Sequence, residues 1–387
     1  MAFNKPMRMV AAIAVAAFLA ACGEEKAETD QAAATGGSEQ QAPAPGYEVV
    51  EANCASCHAP DDSGRLSRIS EQRKTPEGWD MTVARMIVAH GLEISPDDRR
   101  AVVKYLADNQ GLAPEEAAPF RYALERRPQL VETEVLDGVV DERLFVMCGR
   151  CHTVARVALQ RRDAEEWRHL VDMHVSQWPT IEYHMLSRDR DWLDEAKGWV
   201  SDLLGKEFAL SSRAYDDWKA AEKPNPAGAW RVVSYVPGEG YTARDVTVTA
   251  AGDGFFDVSD RGARAVVYNG YEWRALGDEN YREVAALSRD GTTLVGRWFR
   301  NDRPELGGTL LAVRSDTGAA RILAVTSEGL RQGSSVELTI LGTGLEGDAD
   351  FGPGIEVETL RSAPGEIVVR VTVADDAAIG RRDVRVG

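Results

Sequence analysis

Apolar residues recur at helical spacing through the first half of the chain and alternate with polar residues through the second. Met81-Thr-Val-Ala-Arg-Met-Ile-Val-Ala-His90 gathers its apolar side chains at helical spacing, and Arg99-Arg-Ala-Val-Val-Lys-Tyr-Leu-Ala107 repeats the pattern. Ser95-Pro-Asp-Asp-Arg99 reads as a capped start with proline in the first turn, and Asn109-Gln-Gly111 as a stop. A second helical region extends from about 135 to 219. Beyond Pro224 the period drops to two and β-branched residues alternate between glycine turns. Val232–Tyr235, Asp245–Ala250, Leu294–Trp298, Val336–Ile340 and Ile367–Val373 are predicted strands. The expected architecture is multidomain: an all-α region in two parts, 47–125 and 126–224, then two all-β domains, 225–315 and 316–387. The β domains are expected to be antiparallel, of barrel or Ig-like sandwich form.

The first residues follow neither pattern. Lys5 and Arg8 precede an apolar run from Met9 to Ala21, shorter than the roughly 20 residues that cross a bilayer comfortably. It ends in Leu19-Ala20-Ala21-Cys22, which resembles a bacterial lipobox. Residues 1–21 are therefore expected to be a cleaved signal and Cys22 a lipidation site. Gly23 follows, with no aspartate to suggest inner-membrane retention, so the expectation is a periplasmic protein anchored at the outer membrane. Residues 22–46 carry no apolar periodicity and are rich in Ala, Gly, Gln, Glu and Pro, as a flexible tether would be. The whole chain of 387 residues, 44% apolar and 28% charged, has the balance of a soluble globular protein. Its net charge of −17 disfavours nonspecific nucleic-acid binding, which needs cations facing phosphate.

The chain has five cysteines, and the four beyond Cys22 fall in Cys54-Ala-Ser-Cys57-His58 and Cys148-Gly-Arg-Cys151-His152. Two thiols at this spacing add across the vinyl groups of a porphyrin, and the adjoining histidine then sits under the iron. An exported chain could form disulfides, and cysteine pairs also build zinc sites. Two complete C-x-x-C-H units with no surplus cysteine instead indicate two covalently bound haem c groups, with His58 and His152 as proximal ligands.

The sixth ligands follow from an internal repeat. Arg73-Lys-Thr-Pro-Glu-Gly-Trp79 aligns without gaps on Arg161-Arg-Asp-Ala-Glu-Glu-Trp167, and seven residues beyond each tryptophan stand Met86 and His174. Thioether and imidazole both bind haem iron, so the expected pairs are His58/Met86 and His152/His174. His90 competes at the first haem, and His169, His184, Met173 and Met185 at the second. No histidine, cysteine or methionine occurs after Met185. Unequal ligand sets imply unequal potentials, and two six-coordinate irons suit electron relay better than catalysis. A peroxidase would need an open iron position.

Together, the two C-x-x-C-H units, Gly78–Met86, Gln160-Arg-Arg162, His174 with Gln177-Trp-Pro179, Ser187–Trp192 and Val267-Tyr-Asn-Gly-Tyr-Glu-Trp-Arg274 resemble the alpha subunit of quinohemoprotein amine dehydrogenase. The resemblance runs from about Val49 to the C-terminus. It implies a di-haem cytochrome c region followed by antiparallel β domains, with one His/Met and one His/His haem. It further implies a beta-propeller subunit and a small gamma subunit whose quinone cofactor oxidises amines. Electrons would leave for a small copper protein or cytochrome, and this chain would itself be non-catalytic. Two features depart from the family pattern: the sequence stops after two β modules, and Cys22 suggests a lipid anchor. The alternative is a stand-alone di-haem electron-transfer lipoprotein. Tyr271, Trp273 and Arg274 are candidate exposed interface anchors, or packing within their β module.

Overall fold

The computed structural model describes residues 45–121, 141–260, 262–277, 280–327 and 329–387. The leader, Cys22, nearly all of the expected tether and the 125/126 boundary lie outside them. The first helical half comprises α1 (Tyr47–Cys54), the short strand β1 (Gln72–Lys74), α2 (Pro76–His90), α3 (Pro96–Asn109) and α4 (Pro114–Ala117). As the sequence predicts, Ser95 caps α3 through the Asp98 amide, with Pro96 behind it in the first turn. Val50, Leu66, Trp79, Val83, Val102 and Leu106 form the core of this half. The second half comprises α5 (Glu142–Met147), α6 (Ala155–Ala158), β2 (Gln160–Arg162), α7 (Ala164–Gln177), α8 (Trp192–Glu195), α9 (Ser201–Glu207) and α10 (Arg213–Ala220). Its core holds Leu144, Met147, Trp167, Val171, Leu204 and Phe208.

The two halves are joined by an antiparallel ribbon that the helical pattern concealed. β1 pairs with β2, with Arg73 opposite Arg161, Gln72 opposite Arg162 and Lys74 opposite Gln160. Arg73 and Arg161 are also equivalent in the internal repeat, so a local two-fold passes between them. The symmetry extends outward on both sides. Thr75 and Asp163 cap α2 and α7. Trp79 and Trp167 are buried, and their indole N–H groups donate to the carbonyls of Gln110 and Phe208. Those same carbonyls accept the amides of Lys74 and Arg162.

Glu116, at the end of α4, holds this axis. Its carboxylate accepts two hydrogen bonds from Arg73, at 2.7 and 2.8 Å, and one from Ser212 at 2.7 Å. It also accepts the Ala113 amide at 2.8 Å and lies 3.4 Å from Arg161 Nε. One acid thus compensates two buried arginines, one from each repeat.

Past α10 the chain forms β3 (Gly228–Val236), β4 (Gly240–Gly252), β5 (Phe255–Val258), β6 (Arg264–Tyr268), β7 (Glu272–Leu276), β8 (Tyr281–Leu287), β9 (Thr293–Arg300) and β10 (Gly307–Arg314). Each strand pairs with its sequence neighbour, and β10 returns to β3, so the sheet closes as an up-and-down barrel with no free edge. Trp230, Val232, Val248, Trp273, Leu294 and Leu310 belong to its core. The C-terminal module contains β11 (Arg321–Val325), β12 (Ser335–Thr343), β13 (Ala349–Asp350), β14 (Ile355–Ala363), β15 (Glu366–Val373) and β16 (Arg385–Val386). Its four-stranded sheet runs β11-β12-β15-β14, beside a two-stranded pair β13-β16.

Of the two readings of Tyr271, Trp273 and Arg274, exposed anchors or packing, the structure shows packing, with Arg274 half-buried. Tyr271 and Trp273 are 0% and 4% exposed, because their hairpin is the lock between barrel and haem region. Asn269 and Gly270 turn it with positive φ, 49° and 74°. Asn269 Nδ2 and the Tyr271 hydroxyl both donate to the Leu112 carbonyl, at 2.7 and 3.1 Å. Trp218 of α10 donates to the Asn269 carbonyl at 3.0 Å. Arg274 forks onto Glu77 of α2, at 2.5 and 2.9 Å. Gly111 permits the approach: a Cβ there would collide with the Ala107 carbonyl and sit 2.7 Å from Asn269 Nδ2.

Candidate functional site

The two C-x-x-C-H units adopt the same local form. In the first, α1 delivers Cys54, and the amides of Cys57 and His58 turn back to the Cys54 carbonyl at 3.2 and 2.9 Å. In the second, α5 delivers Cys148, whose carbonyl accepts the Cys151 amide at 3.3 Å. The first cysteine of each pair is half-buried and the second exposed, and none of the four is in a disulfide. Cys54 packs against the core of its half, and Cys148 against the other. Both pairs are therefore presented in one way, with one sulfur against packed side chains and one facing outward.

The electrostatics of these positions disfavour a charged sulfur. Burial pushes Cys148 up to about 12 and raises Cys54 and Cys151. Thiols held neutral make poor thiolate ligands and poor redox dithiols, whereas a thioether carries no charge and loses nothing by burial. Among the described residues no group of three or more His, Cys, Asp or Glu is arranged to hold a metal ion. The donor set fits a porphyrin attached through sulfur, and the chain carries two such attachment sites for haem c.

The histidine rings are oriented by backbone carbonyls. His58 Nδ1 lies 2.8 Å from the Ser67 carbonyl, and His152 Nδ1 lies 2.8 Å from that of Thr153. His174 Nδ1 lies 2.7 Å from the Leu170 carbonyl one turn earlier on α7. A proton on Nδ1 satisfies each carbonyl and leaves Nε2 as the lone-pair atom, the tautomer a metal needs. The His152 and His174 ring centres are 6.4 Å apart, inclined at 34°. Trp178 and Trp192 flank His174 at 6.4 and 6.0 Å. Burial, reinforced by Arg85, Arg162 and Arg156, lowers the His174 pKa against the raising effect of the Leu170 carbonyl, so the ring stays neutral.

The competing residues lie in other settings. His169 is 3.7 Å from Glu165 and 3.9 Å from Asp172 on its own helix. His184 and Met185 are exposed, and Met173 is half-buried on α7. At the first site Met86 is half-buried on α2, while His90 is exposed in the last turn of that helix. Sequence reasoning missed Glu116 and the ribbon around it. The signal available was the pair of dibasic steps, Arg73-Lys74 and Arg161-Arg162, in a repeat that otherwise buries tryptophan.

No helix among the described residues is long and apolar enough to cross a membrane. Among curated proteins, no relative matches the chain. Three family models do. Residues 44–215 match the haem-binding region of the quinohemoprotein amine dehydrogenase alpha subunit, residues 224–315 its domain II and residues 319–387 its domain III. The barrel and the C-terminal module thus each correspond to one alpha-subunit domain, as the ribbon-linked helical halves correspond to the haem-binding region. With two haem c attachment sites and matches over most of its length, the chain belongs to the quinohemoprotein amine dehydrogenase alpha-subunit family, whose members are di-haem electron-transfer cytochromes.

Proposed function

We propose that this chain is the non-catalytic electron-transfer subunit of a periplasmic amine dehydrogenase complex, held to the outer membrane through Cys22. It would take electrons from a quinone cofactor on a small partner subunit, alongside a beta-propeller subunit. It would pass them to an external acceptor such as a small copper protein or cytochrome. When bound, the haems supply reversible one-electron chemistry.

The residues divide the task. Cys54, Cys57, Cys148 and Cys151 fix the porphyrins covalently, and His58 and His152 are the proximal ligands. Met86 and His174 would hold the irons from the other side, leaving no open position for substrate. The carbonyls of Ser67, Thr153 and Leu170 set the tautomers. The β modules are scaffold and docking surface, the C-terminal one of Ig-like form.

The observation that carries this reading is the pair of like-folded C-x-x-C-H units in a chain matched by the haem-binding region, domain II and domain III of the alpha subunit. With His152 and His174 ring centres 6.4 Å apart and each Nδ1 held on a carbonyl, both Nε2 atoms would be available to one iron. Co-purification from native membranes tests the assembly. A small quinone-bearing chain should accompany this one, and a primary amine should then bleach the oxidised haem spectrum. Reduction absent with the partner present would refute the relay, and absence of any partner would favour a stand-alone lipoprotein.

A further inference from the structure

Around the ribbon the chain gathers cations that its own acids do not match. Lys74 and Arg162, equivalent in the repeat, are 3% and 4% exposed. Lys74 Nζ donates to Thr82 Oγ1 at 2.6 Å, which fixes it on α2 one turn before Arg85. Arg162 lies 3.3 Å from Glu166 on α7, while Arg68 engages the other oxygen of that carboxylate. The Gln160 side chain ties Arg156 to Arg162, donating to the Arg156 carbonyl at 2.9 Å and accepting from Arg162 Nε at 3.0 Å. Arg156 Nε is buried and has no hydrogen-bond partner among the described residues. Burial, with the charges of Arg162 and Arg85, pushes the Lys74 pKa well down.

Glu166 is thus shared by Arg162 and Arg68, and among the described residues Lys74, Arg85 and Arg156 make no ion pair. Lys74 and Arg162 are buried, Arg85 and Arg156 half-buried; cations so placed are costly unless counter-charge reaches them, so the cluster is built for anions that complete it. Its position identifies them. Arg85 adjoins Met86 on α2, Arg156 follows His152 by four residues, and Arg162 ends the strand that leads into α7, which carries His174. A cation cluster bordering both haem sites matches the carboxylates that every haem carries.

We propose that Lys74, Arg85, Arg156 and Arg162 form one shared cradle for the propionate carboxylates of the two haems. The inference rests on the di-haem reading above. The cradle hydrogen-bonds and neutralises those carboxylates, and its positive charge favours the ferrous state. It also couples the two redox sites through one set of side chains.

The test is a spectroelectrochemical titration of holoprotein carrying Arg156→Gln, Arg85→Gln, Arg156→Lys or, as an exposed control, Arg168→Gln. The first two variants should each make reduction of at least one haem about tenfold less favourable, a fall of about 59 mV for a one-electron couple. Arg156→Lys should restore most of it, and Arg168→Gln should change little. Midpoints unchanged in both glutamine variants, or moved equally by Arg168→Gln, would overturn the cradle. Two haems per chain in a pyridine haemochrome assay of the wild type separates that failure from failure of the di-haem reading. Far-UV circular dichroism of each variant shows that it is folded, and Arg85 and Arg156 are tested independently.

Discussion

Glu116→Ala removes the carboxylate on which the local two-fold of the haem region closes. Its side chain is 6% exposed, and those of Arg73 and Arg161 are 3% and 8% exposed. The alanine leaves both guanidinium groups buried without their acid, and also frees the Ala113 amide and the Ser212 hydroxyl. Removing one partner of a buried ion pair costs about 3–5 kcal/mol. Arg161 keeps hydrogen bonds to the carbonyls of Ala158 and Gln160, which moderates its share, so we expect about 4 kcal/mol. For a region of this size that lowers Tm by on the order of 10 °C. Thermal unfolding of holoprotein followed by far-UV circular dichroism, with the Soret band as second probe, reads it directly. Glu116→Gln keeps the acceptor and the volume and should fall between wild type and alanine. Burial would raise the Glu116 pKa, but the hydrogen bonds and charge of Arg73, with Arg161, outweigh it and hold it below 4.5. A depressed carboxyl stabilises above its unfolded pKa and loses that effect as pH falls through the folded value. The gap between wild type and Glu116→Ala should therefore be full at pH 7 and narrow in acid below 4.5. A loss under about 1 kcal/mol at pH 7 would refute the role of Glu116 as the clamp.

Met86→Ala should abolish the weak long-wavelength thioether-to-iron band of the oxidised protein, whereas His174→Ala should leave it intact; the reverse result would exchange the assignments. Trp79→Phe and Trp167→Phe each delete a buried indole hydrogen bond to an equivalent carbonyl, and should each cost about 1–3 kcal/mol in chemical denaturation. A large effect at one and none at the other would contradict the repeat. Burial raises Glu272 to about 7 despite Arg274, so its contribution is full below the ordinary 4.5 and is lost as pH rises through about 7. Glu272→Gln should gain about 1–3 kcal/mol relative to wild type between pH 5 and pH 8, and a flat difference would refute the shift. Gly111→Ala should destabilise the lock between helical region and barrel, measured as earlier hydrogen exchange in the 267–274 hairpin; unchanged exchange would show that the close approach is not needed.

The sequence disclosed the parts whose chemistry is local. The haem attachments are legible because thioether formation requires two cysteines and a histidine at one spacing, and both units fold alike. Helix starts at Ser95 and strands such as Ile367–Val373 are legible because caps and alternation are short-range signals. The repeat of Arg73–Trp79 on Arg161–Trp167 proved to be spatial, with equivalent caps and equivalent indole hydrogen bonds. The ribbon itself was not legible, since Gln72-Arg-Lys74 and Gln160-Arg-Arg162 are short and polar. Arg73 and Arg161 are buried because Glu116, far from both in sequence, compensates them, and Arg162 because Glu166 does. The setting of Tyr271 and Trp273 was open for a related reason: Tyr271 donates to the Leu112 carbonyl and Trp273 to Glu283 inside the barrel, and no pattern around the hairpin encodes either partner. Closure of eight strands into a barrel likewise depends on β10 meeting β3, a pairing that alternation cannot specify.

The central claim is a pair of unequal, six-coordinate haems on one chain, and near-infrared magnetic circular dichroism of the fully oxidised holoprotein tests it most directly. The account predicts two low-spin ferric signatures in equal amount, one from imidazole and thioether and one from two imidazoles. Two identical signatures, or a high-spin five-coordinate iron, would contradict it.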